Sequence, residues 1–178
     1  NVHSQIAYNP NSKITETGIT NGVLLAQVTP RGGLISGQSS VMYLDGWNWE
    51  DATCRANDGI HLNWPSSYFQ TGWWGQQGKT KRNDKHAEQV NRIKDLLENS
   101  LSYFKSNSEI DLKMESMKGL FSGEMNLYIH VNYANDIIDA IDISKQYKIK
   151  NLVLVGGEDA IKVIKKIKKN DIPVILNR

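Results

Sequence analysis

The sequence lacks most of the features that would assign it to a large class of proteins. Its 178 residues contain one cysteine, Cys54, so no disulfide can form within the chain and nothing in it indicates an oxidising compartment. No apolar run approaches the roughly 20 residues that span a bilayer. The first residues also lack the basic and apolar segments of a signal peptide. We therefore predict no membrane partner, and the compartment stays unknown.

Charge of one sign is also scarce. The formal net charge is +2 and 22% of the residues are charged, which is the composition of an ordinary globular chain. The lysines are spread along faces of predicted helices, as at Lys162, Lys165 and Lys169. This spread is typical of a solvated surface and not of a phosphate-binding patch, so we predict no nucleic-acid partner.

The length fits one domain or one piece of a larger domain, and no internal repeat or low-complexity tract divides it. We predict a single domain over residues 1–178. Because the sequence begins at Asn1 and not at Met, we also expect either that a leader or a longer upstream segment has been removed or that the chain is an excised piece of a longer protein.

The last third of the chain carries the clearest structural pattern. Short apolar runs at residues 127–131, 152–155 and 174–176 predict strands, and helical patterns at residues 135–147 and from Glu158 onward separate them. Strands that alternate with helices of a dozen residues imply parallel strands joined by right-handed crossovers.

The first third predicts strands at residues 23–28, 41–46 and 60–65, with a possible hairpin over residues 31–45. Residues 48–57 predict a helix, because Asn48 is a suitable N-cap and acidic residues follow it in the first turn. Cys54 would then be a buried and inert thiol.

The middle of the chain predicts two helices after a long irregular segment. Residues 66–83 contain no clear periodicity, and a loop of that length is usually functional or mobile. Apolar residues recur at helical spacing over residues 84–105 and again over residues 111–121, where Gly119 or Gly123 marks a stop.

His130 is the strongest candidate for chemistry. It lies near the end of the strand at residues 127–131, and barrels of alternating strands and helices place catalytic groups at the carboxyl ends of their strands. Side chains alternate along a strand, so His130 shares its face with Tyr128 and Asn132. We predict a metal ligand or proton carrier at His130, with Tyr128 and Asn132 in contact with substrate. The alternative is a core histidine with one hydrogen bond.

The other histidines give weaker signals. His61 ends the strand at residues 60–65 in a position similar to that of His130, and we include it among the candidate substrate contacts, although a structural role is the alternative. His3 and His86 fall in a chain end and a polar helix start, which indicates surface positions.

Two further patterns have structural explanations. Residues 154–160 contain two glycines but no GxGxxG motif, and the acidic pair Glu158 and Asp159 would repel a phosphate, so we predict no nucleotide site. Five tryptophans could wall an aromatic pocket, although packing under long loops explains them as well; they are Trp47, Trp49, Trp64, Trp73 and Trp74.

Several segments taken together resemble the amidohydrolase superfamily, specifically its imidazolonepropionase-like branch. Residues 21–52 are similar to the family's GVT…P…GG…SGQ…DG region after the second barrel strand, with residues 9–14 as its lead-in. Residues 125–160 are similar to the fifth strand, its helix and the sixth strand, and residues 161–176 match the next helix and strand.

The resemblance implies a (β/α)8 barrel whose divalent metal, zinc or iron, activates water for hydrolysis. The family's ligands are an HxH pair on the first strand, histidines ending the fifth and sixth strands, and an aspartate ending the eighth. His130 falls at the fifth-strand position, but Gly156 stands at the sixth, and no HxH pair or eighth strand is present. The resemblance therefore implies a fragment that binds no metal and is inactive alone.

We predict an α/β fold: a partial, TIM-barrel-like parallel sheet of about four or five strands flanked by helices. Its open edges would favour a second copy as a partner that masks them. The leading hypothesis is a fragment of a metal-dependent amidohydrolase that acts on a non-peptide C–N bond of a small molecule, such as a cyclic amide. The alternatives are a non-catalytic module that binds a small molecule or a partner, and a flavodoxin-like domain, which would need an anion site.

Overall fold

The computed structural model of the protein describes residues 3–71, 78–106 and 109–177. The strands are β1 (Leu25–Val28), β2 (Ile35–Tyr43), β3 (Thr53–Asn63), β4 (Tyr68–Gln70), β5 (Thr80–Arg82), β6 (Asn126–Val131), β7 (Leu152–Gly156) and β8 (Val174–Leu176). The helices are α1 (Lys13–Thr20), α2 (His86–Lys105), α3 (Leu112–Glu115), α4 (Lys118–Ser122), α5 (Ala134–Gln146) and α6 (Ile164–Lys169). Single 3-10 turns occupy Gln5–Ala7 and Ala160–Val163.

Six strands form the main sheet in the order β1-β2-β3-β6-β7-β8, and β4 pairs with β5 in a small separate hairpin. Strands β3, β6, β7 and β8 run parallel, so β6 has a parallel neighbour on each side. Helix α5 connects β6 to β7, and α6 precedes β8. The parallel run that the sequence predicted over residues 127–176 is therefore confirmed.

The other half of the sheet is antiparallel. Strand β1 pairs antiparallel with β2, and β2 pairs antiparallel with β3. The connections are too short for the crossover of a dozen or more residues that parallel strands need. The hairpin predicted within residues 31–45 is wrong, because β2 runs through that segment as a single strand from Ile35 to Tyr43 and pairs with β1 and β3 on either side.

The helix predicted over residues 48–57 is wrong. Asn48 caps a turn instead, because its Oδ1 accepts a hydrogen bond from the backbone N–H of Asp51 at 2.8 Å. The chain then enters β3 at Thr53, where pairing with β2 replaces helical hydrogen bonds. Cys54 consequently lies on a strand and is exposed, not buried.

The hydrophobic core lies on one face of the parallel sheet. Alternate residues of β3 and β6, among them Leu62, Leu127 and Ile129, are at most 1% exposed and face the helices. Helix α2 contributes Ile93 and Leu97 to the same cluster. Because side chains alternate along a strand, the opposite face of the sheet carries His61, Tyr128 and His130.

The predicted helix at residues 111–121 is interrupted. It is divided at Ser116 and Met117 into the short helices α3 and α4. The stop predicted at Gly123 is confirmed, since Gly123 caps α4 with a φ of 89°, which favours glycine.

The two outer strands leave apolar side chains in solvent. Leu24 and Leu25 are exposed at the β1 edge, and Leu176 is 70% exposed at the β8 edge. Both strands also present unpaired backbone groups on their outer sides within the described residues. Among the same residues, no helix combines the length and apolarity needed to cross a membrane.

Candidate functional site

His130 lies one residue before the carboxyl end of β6, on the face of the sheet away from the helices. The parallel register places Asn63 of β3 and Val155 of β7 directly beside it. These residues line a cavity of about 220 Å³ at the carboxyl ends of the strands. Asn132 and Ser66 contribute further polar groups to its wall. The position at the rim of parallel strands is the one that the sequence predicted for His130.

A second imidazole contacts His130. The Nδ1 atom of His61 lies 2.8 Å from Nε2 of His130, and the two ring centroids are 5.1 Å apart. When both rings are neutral, the N–H of one of these nitrogens donates a hydrogen bond to the lone pair of the other. We call His61 and His130 the histidine pair.

Tyr128 packs against His61 of the histidine pair. Its ring stacks on that of His61, with centroids 4.6 Å apart and an interplanar angle of 11°. Its hydroxyl donates a hydrogen bond to the buried carboxylate of Asp58. Asp58 also accepts a hydrogen bond from Gln27 at 3.0 Å and pairs with Arg55 at 3.0 Å. The stacking of Tyr128 therefore fixes the orientation of the His61 ring, and Tyr128 is itself held by its hydrogen bond to Asp58.

Burial keeps the histidine pair neutral. Desolvation lowers the pKa of His61 to about 4, with the neighbouring His130 acting in the same direction and the charge of Asp58 opposing both effects. Desolvation also lowers the pKa of His130. Desolvation and the bond to Asp58 raise the pKa of Tyr128 to about 12. At neutral pH both imidazoles are therefore uncharged, and Tyr128 remains a phenol.

The structure divides the four predicted site residues into two groups. His130 and Asn132 line the cavity. His61 and Tyr128 are 2% and 7% exposed, and they lie beneath the cavity rather than in its wall. His3 is hydrogen-bonded to Asn57 at 3.0 Å, in an exposed contact far along the chain from this group.

The backbone at the end of β7 excludes a side chain. Gly156 has a φ of 97°, and a Cβ atom there would overlap Oδ1 of Asn132 and lie 3.3 Å from the carbonyl oxygen of Val131. A histidine could not occupy this position without displacing Asn132. The packing of Asn132 and Val131 against Gly156 therefore excludes a metal-binding side chain at this position.

Sequence reasoning missed a second polar cluster at the same rim. Buried Asp136, in the first turn of α5, accepts hydrogen bonds from the backbone N–H of Ser67 at 3.0 Å and from the Ser67 hydroxyl. Nε2 of His86 lies 3.4 Å from Oδ1 of Asp136 and 3.3 Å from Oγ of Ser67. Serine and histidine therefore meet the same carboxylate oxygen, whereas in a nucleophilic triad the imidazole stands between them. The hydrogen bonds of this cluster hold the segment that precedes β4 against the first turn of α5.

Asp58 was also missed, for a different reason. The sequence Asn57-Asp58-Gly59 has the composition of a turn, and residues of that type rarely indicate the middle of a strand. In the structure Asn57 has a φ of 50°, and the pairing of β2 with β3 shifts register at this point. The triplet at residues 57–59 is therefore the sequence signal that could have indicated an irregularity within β3 and a polar side chain at Asp58.

The predicted aromatic pocket is only partly covered by the described residues. Trp64 is buried and lines the cavity beside His130, whereas Trp47 is 90% exposed. Trp73 and Trp74 lie outside the described residues. The segment at 66–83 that was predicted to be irregular contains the hairpin of β4 and β5.

The described residues match only part of a catalytic metal site. Residues 3–71, 78–106 and 109–177 contain no group of three histidine, cysteine, aspartate or glutamate side chains arranged to hold a metal ion. The histidine pair supplies two neutral imidazoles, whereas a catalytic zinc normally takes three protein ligands.

Comparison with known proteins supports the scaffold. No protein-family model and no curated protein matches the sequence. The structure of an amidohydrolase from Thermotoga maritima MSB8 superimposes with a TM-score of 0.81 and 21% sequence identity. This chain therefore shares the fold of the matching part of that protein. The match covers 97% of this chain but 47% of the Thermotoga chain, so this chain spans about half the length of its structural neighbour.

The predicted fold class is therefore confirmed: the six-stranded sheet and its helices form part of a TIM-barrel-like fold. The prediction that residues 1–178 form a single domain internal to such a barrel stays a prediction.

Proposed function

We propose that this chain is part of a metal-dependent amidohydrolase that hydrolyses a non-peptide C–N bond, and that His130 is one of its metal ligands. The observation that carries the proposal is the place of His130: a neutral imidazole at the carboxyl end of a parallel strand, lining a polar cavity in an amidohydrolase fold. When bound, a divalent ion such as zinc or iron supplies an activated water.

The cavity suits a small cyclic amide as substrate, in line with the sequence resemblance to the imidazolonepropionase-like branch. An amide presents one acceptor and one donor, and the carboxamide of Asn132 in the cavity wall can pair with either group. His61 and Tyr128 belong to the same proposed site and act from beneath His130, since both are buried.

The remaining ligands would come from polypeptide outside the described residues. This chain alone should therefore bind zinc weakly and show no turnover, because two imidazoles do not complete a catalytic site. The proposal is tested in the complete open reading frame, loaded with zinc or iron and assayed against a panel of cyclic amides.

His130→Ala should lower kcat/KM by at least about 100-fold, as even outer-shell changes at metal sites cost up to that much. His3→Gln is the matched control, because it removes an imidazole from an exposed contact. Full metal content with unchanged activity in His130→Ala would rule the proposal out.

A second function is favoured by Gly156. The packing around this residue excludes a histidine, so the scaffold could serve as a non-catalytic module that binds a small molecule or a partner. The flanking reading frame decides between the two: an upstream HxH pair and a downstream aspartate support the enzyme, and their absence supports the binding module.

A further inference from the structure

A second cavity, of about 500 Å³, lies between the start of β2 and the helices α2 and α3. Among the described residues it shares no lining residue with the cavity beside His130. Its volume is in the range of about 300–1,000 Å³ that is usual for small-molecule sites. Most of its wall is apolar, with side chains from the sheet and from the helices; they are Leu34, Ile35, Ile60, Leu96 and Met117. Leu34, Ile35 and Leu96 are only partly buried, so a ligand that fills the cavity would remove further apolar surface from water.

Gln38, in the wall of this cavity, carries a buried acceptor without a partner. Gln38 is 4% exposed, and its register opposite Ile60 of β3 places it on the face of the sheet that meets the helices. Its Nε2 atom donates a hydrogen bond to the backbone carbonyl of Ser116 at 3.0 Å, and this bond fixes the amide, since a carbonyl only accepts. The Oε1 atom has no hydrogen-bond partner among the described residues. Buried acceptors are normally hydrogen-bonded, so a ligand in the cavity that brings a donor would satisfy Gln38.

Two cations stand at the exposed side of the cavity. Arg92 of α2 and Lys113 of α3 both line it, and no described residue of the wall carries a carboxylate. Arg92 is already paired with Glu88 on its own helix, at 2.8 Å. Lys113 forms no ion pair within the described residues. A ligand with a carboxylate therefore meets a free cation at the mouth of the cavity and the acceptor of Gln38 deeper in its wall.

We propose that this cavity binds a small carboxylic acid that has an apolar body and one N–H or O–H donor. The donor bonds to Oε1 of Gln38, the apolar body lies between Leu34 and Leu96, and the carboxylate pairs with Lys113. Burial of the apolar body provides most of the affinity, whereas the exposed ion pair contributes little and mainly orients the ligand. The site needs neither a metal nor the hydrolase activity proposed above, so the two proposals are independent.

The test is a titration of the ¹⁵N-labelled chain with indoleacetate, which combines an indole N–H, an apolar ring and a carboxylate. We expect saturable binding in which the side-chain amide of Gln38 and the backbone amides of Leu34 and Lys113 shift, while the backbone amide of His130 does not. The N-methyl analogue of indoleacetate lacks the donor and should bind at least about 5-fold more weakly. Indoleacetamide lacks the charge and should bind about 3-fold more weakly.

Variants assign each contact to its residue. Gln38→Leu should remove the preference for indoleacetate over its N-methyl analogue, because the acceptor that recognises the N–H is gone. Lys113→Met should weaken the binding of indoleacetate about 3-fold and leave that of indoleacetamide unchanged. Lys165→Met, at an exposed position on α6, is the matched control and should alter neither affinity.

Three results would overturn the proposal: no saturable binding of indoleacetate, equal affinity of the wild-type chain for indoleacetate and its N-methyl analogue, or shifts confined to residues around His130. Binding to this chain but not to the complete reading frame would overturn it too, because further polypeptide would then cover the cavity. The wild-type comparison decides the matter even if Gln38→Leu does not fold. None of these measurements involves a metal, so they leave the proposed hydrolase to its own test.

Discussion

His61 couples the stability of the fold to pH, because its imidazole is buried where a charge is unfavourable. In the unfolded chain it titrates near the ordinary histidine pKa of 6.5, and in the folded chain its pKa is about 4. The unfolded state therefore binds more protons between these values, so stability falls as the pH is lowered through this window.

We expect a loss of up to about 3 kcal/mol in the free energy of unfolding between about pH 7 and about pH 4, since one pKa unit corresponds to about 1.4 kcal/mol. Urea unfolding at both pH values measures it. His61→Asn removes the group and should flatten the difference. A wild-type chain and a variant with the same pH dependence would contradict the assignment to His61.

Gly156 is the second residue whose environment makes a sharp prediction. Gly156→Ala should destabilise the fold by about 2–3 kcal/mol, because it adds a Cβ both to a left-handed backbone and against Asn132. Gly22→Ala is the matched control: Gly22 has a φ of 80° but no atom within 4 Å of the added Cβ. Equal losses in thermal unfolding would show that the overlap with Asn132 contributes nothing.

At the residue scale the sequence predicted the rim position of His130 but not the partners of His61. Strand periodicity is local, so the place of His130 could be inferred from residues 127–131 alone. The contacts of His61 with Tyr128 and His130 depend on the pairing of strands 63 residues apart in the chain, from Asn63 to Asn126. Short-range patterns do not contain that information.

At the scale of elements, the fastening of α5 to the segment before β4 organises the rim. Buried Asp136 accepts hydrogen bonds from the backbone N–H and the hydroxyl of Ser67. These bonds fix the start of α5 relative to the segment at Ser66 and Ser67, of which Ser66 lines the cavity. The strands and helices of residues 127–176 were predictable because short apolar runs alternate there with segments of helical periodicity. The helix predicted from Asn48 failed because a helix cap and a tight turn use the same asparagine geometry.

Asp136→Ala should destabilise the protein by about 1–3 kcal/mol, because it leaves the partly buried N–H and hydroxyl of Ser67 without their acceptor. Faster amide exchange at Ser67 should accompany the loss. Asp139→Ala, at an exposed site on the same helix, serves as the control and should change stability by less than about 0.5 kcal/mol. Similar losses in the two variants would mean that the fastening has no energetic role.

At the scale of the whole molecule, the sheet has two open edges with apolar side chains. The predicted second copy that masks them is untested, and the exposure of Leu25 and Leu176 gives it a physical basis. The fold class was predictable from the order of elements, whereas the antiparallel half was not, since long-range pairing decides it.

We expect the chain to self-associate at micromolar concentration and Leu176→Lys to reduce that association, because a charge at an edge strand opposes pairing with another strand. Sedimentation velocity measures the mass. Ile14→Lys changes an exposed apolar residue on α1 and controls for hydrophobicity alone. A monomeric wild-type chain would contradict the prediction.

The strand order β1-β2-β3-β6-β7-β8 follows the order of synthesis without exception. Each strand of the main sheet after β1 is therefore synthesised later than the neighbour with which it pairs, so the sheet can form one strand at a time in chain order. The longest interval falls between β3 and β6, when β3 waits for its parallel neighbour while the segment from β4 to α4 is made. During that interval the edge of β3 that later pairs with β6 is open, and it is the part of the sheet that a chaperone would cover.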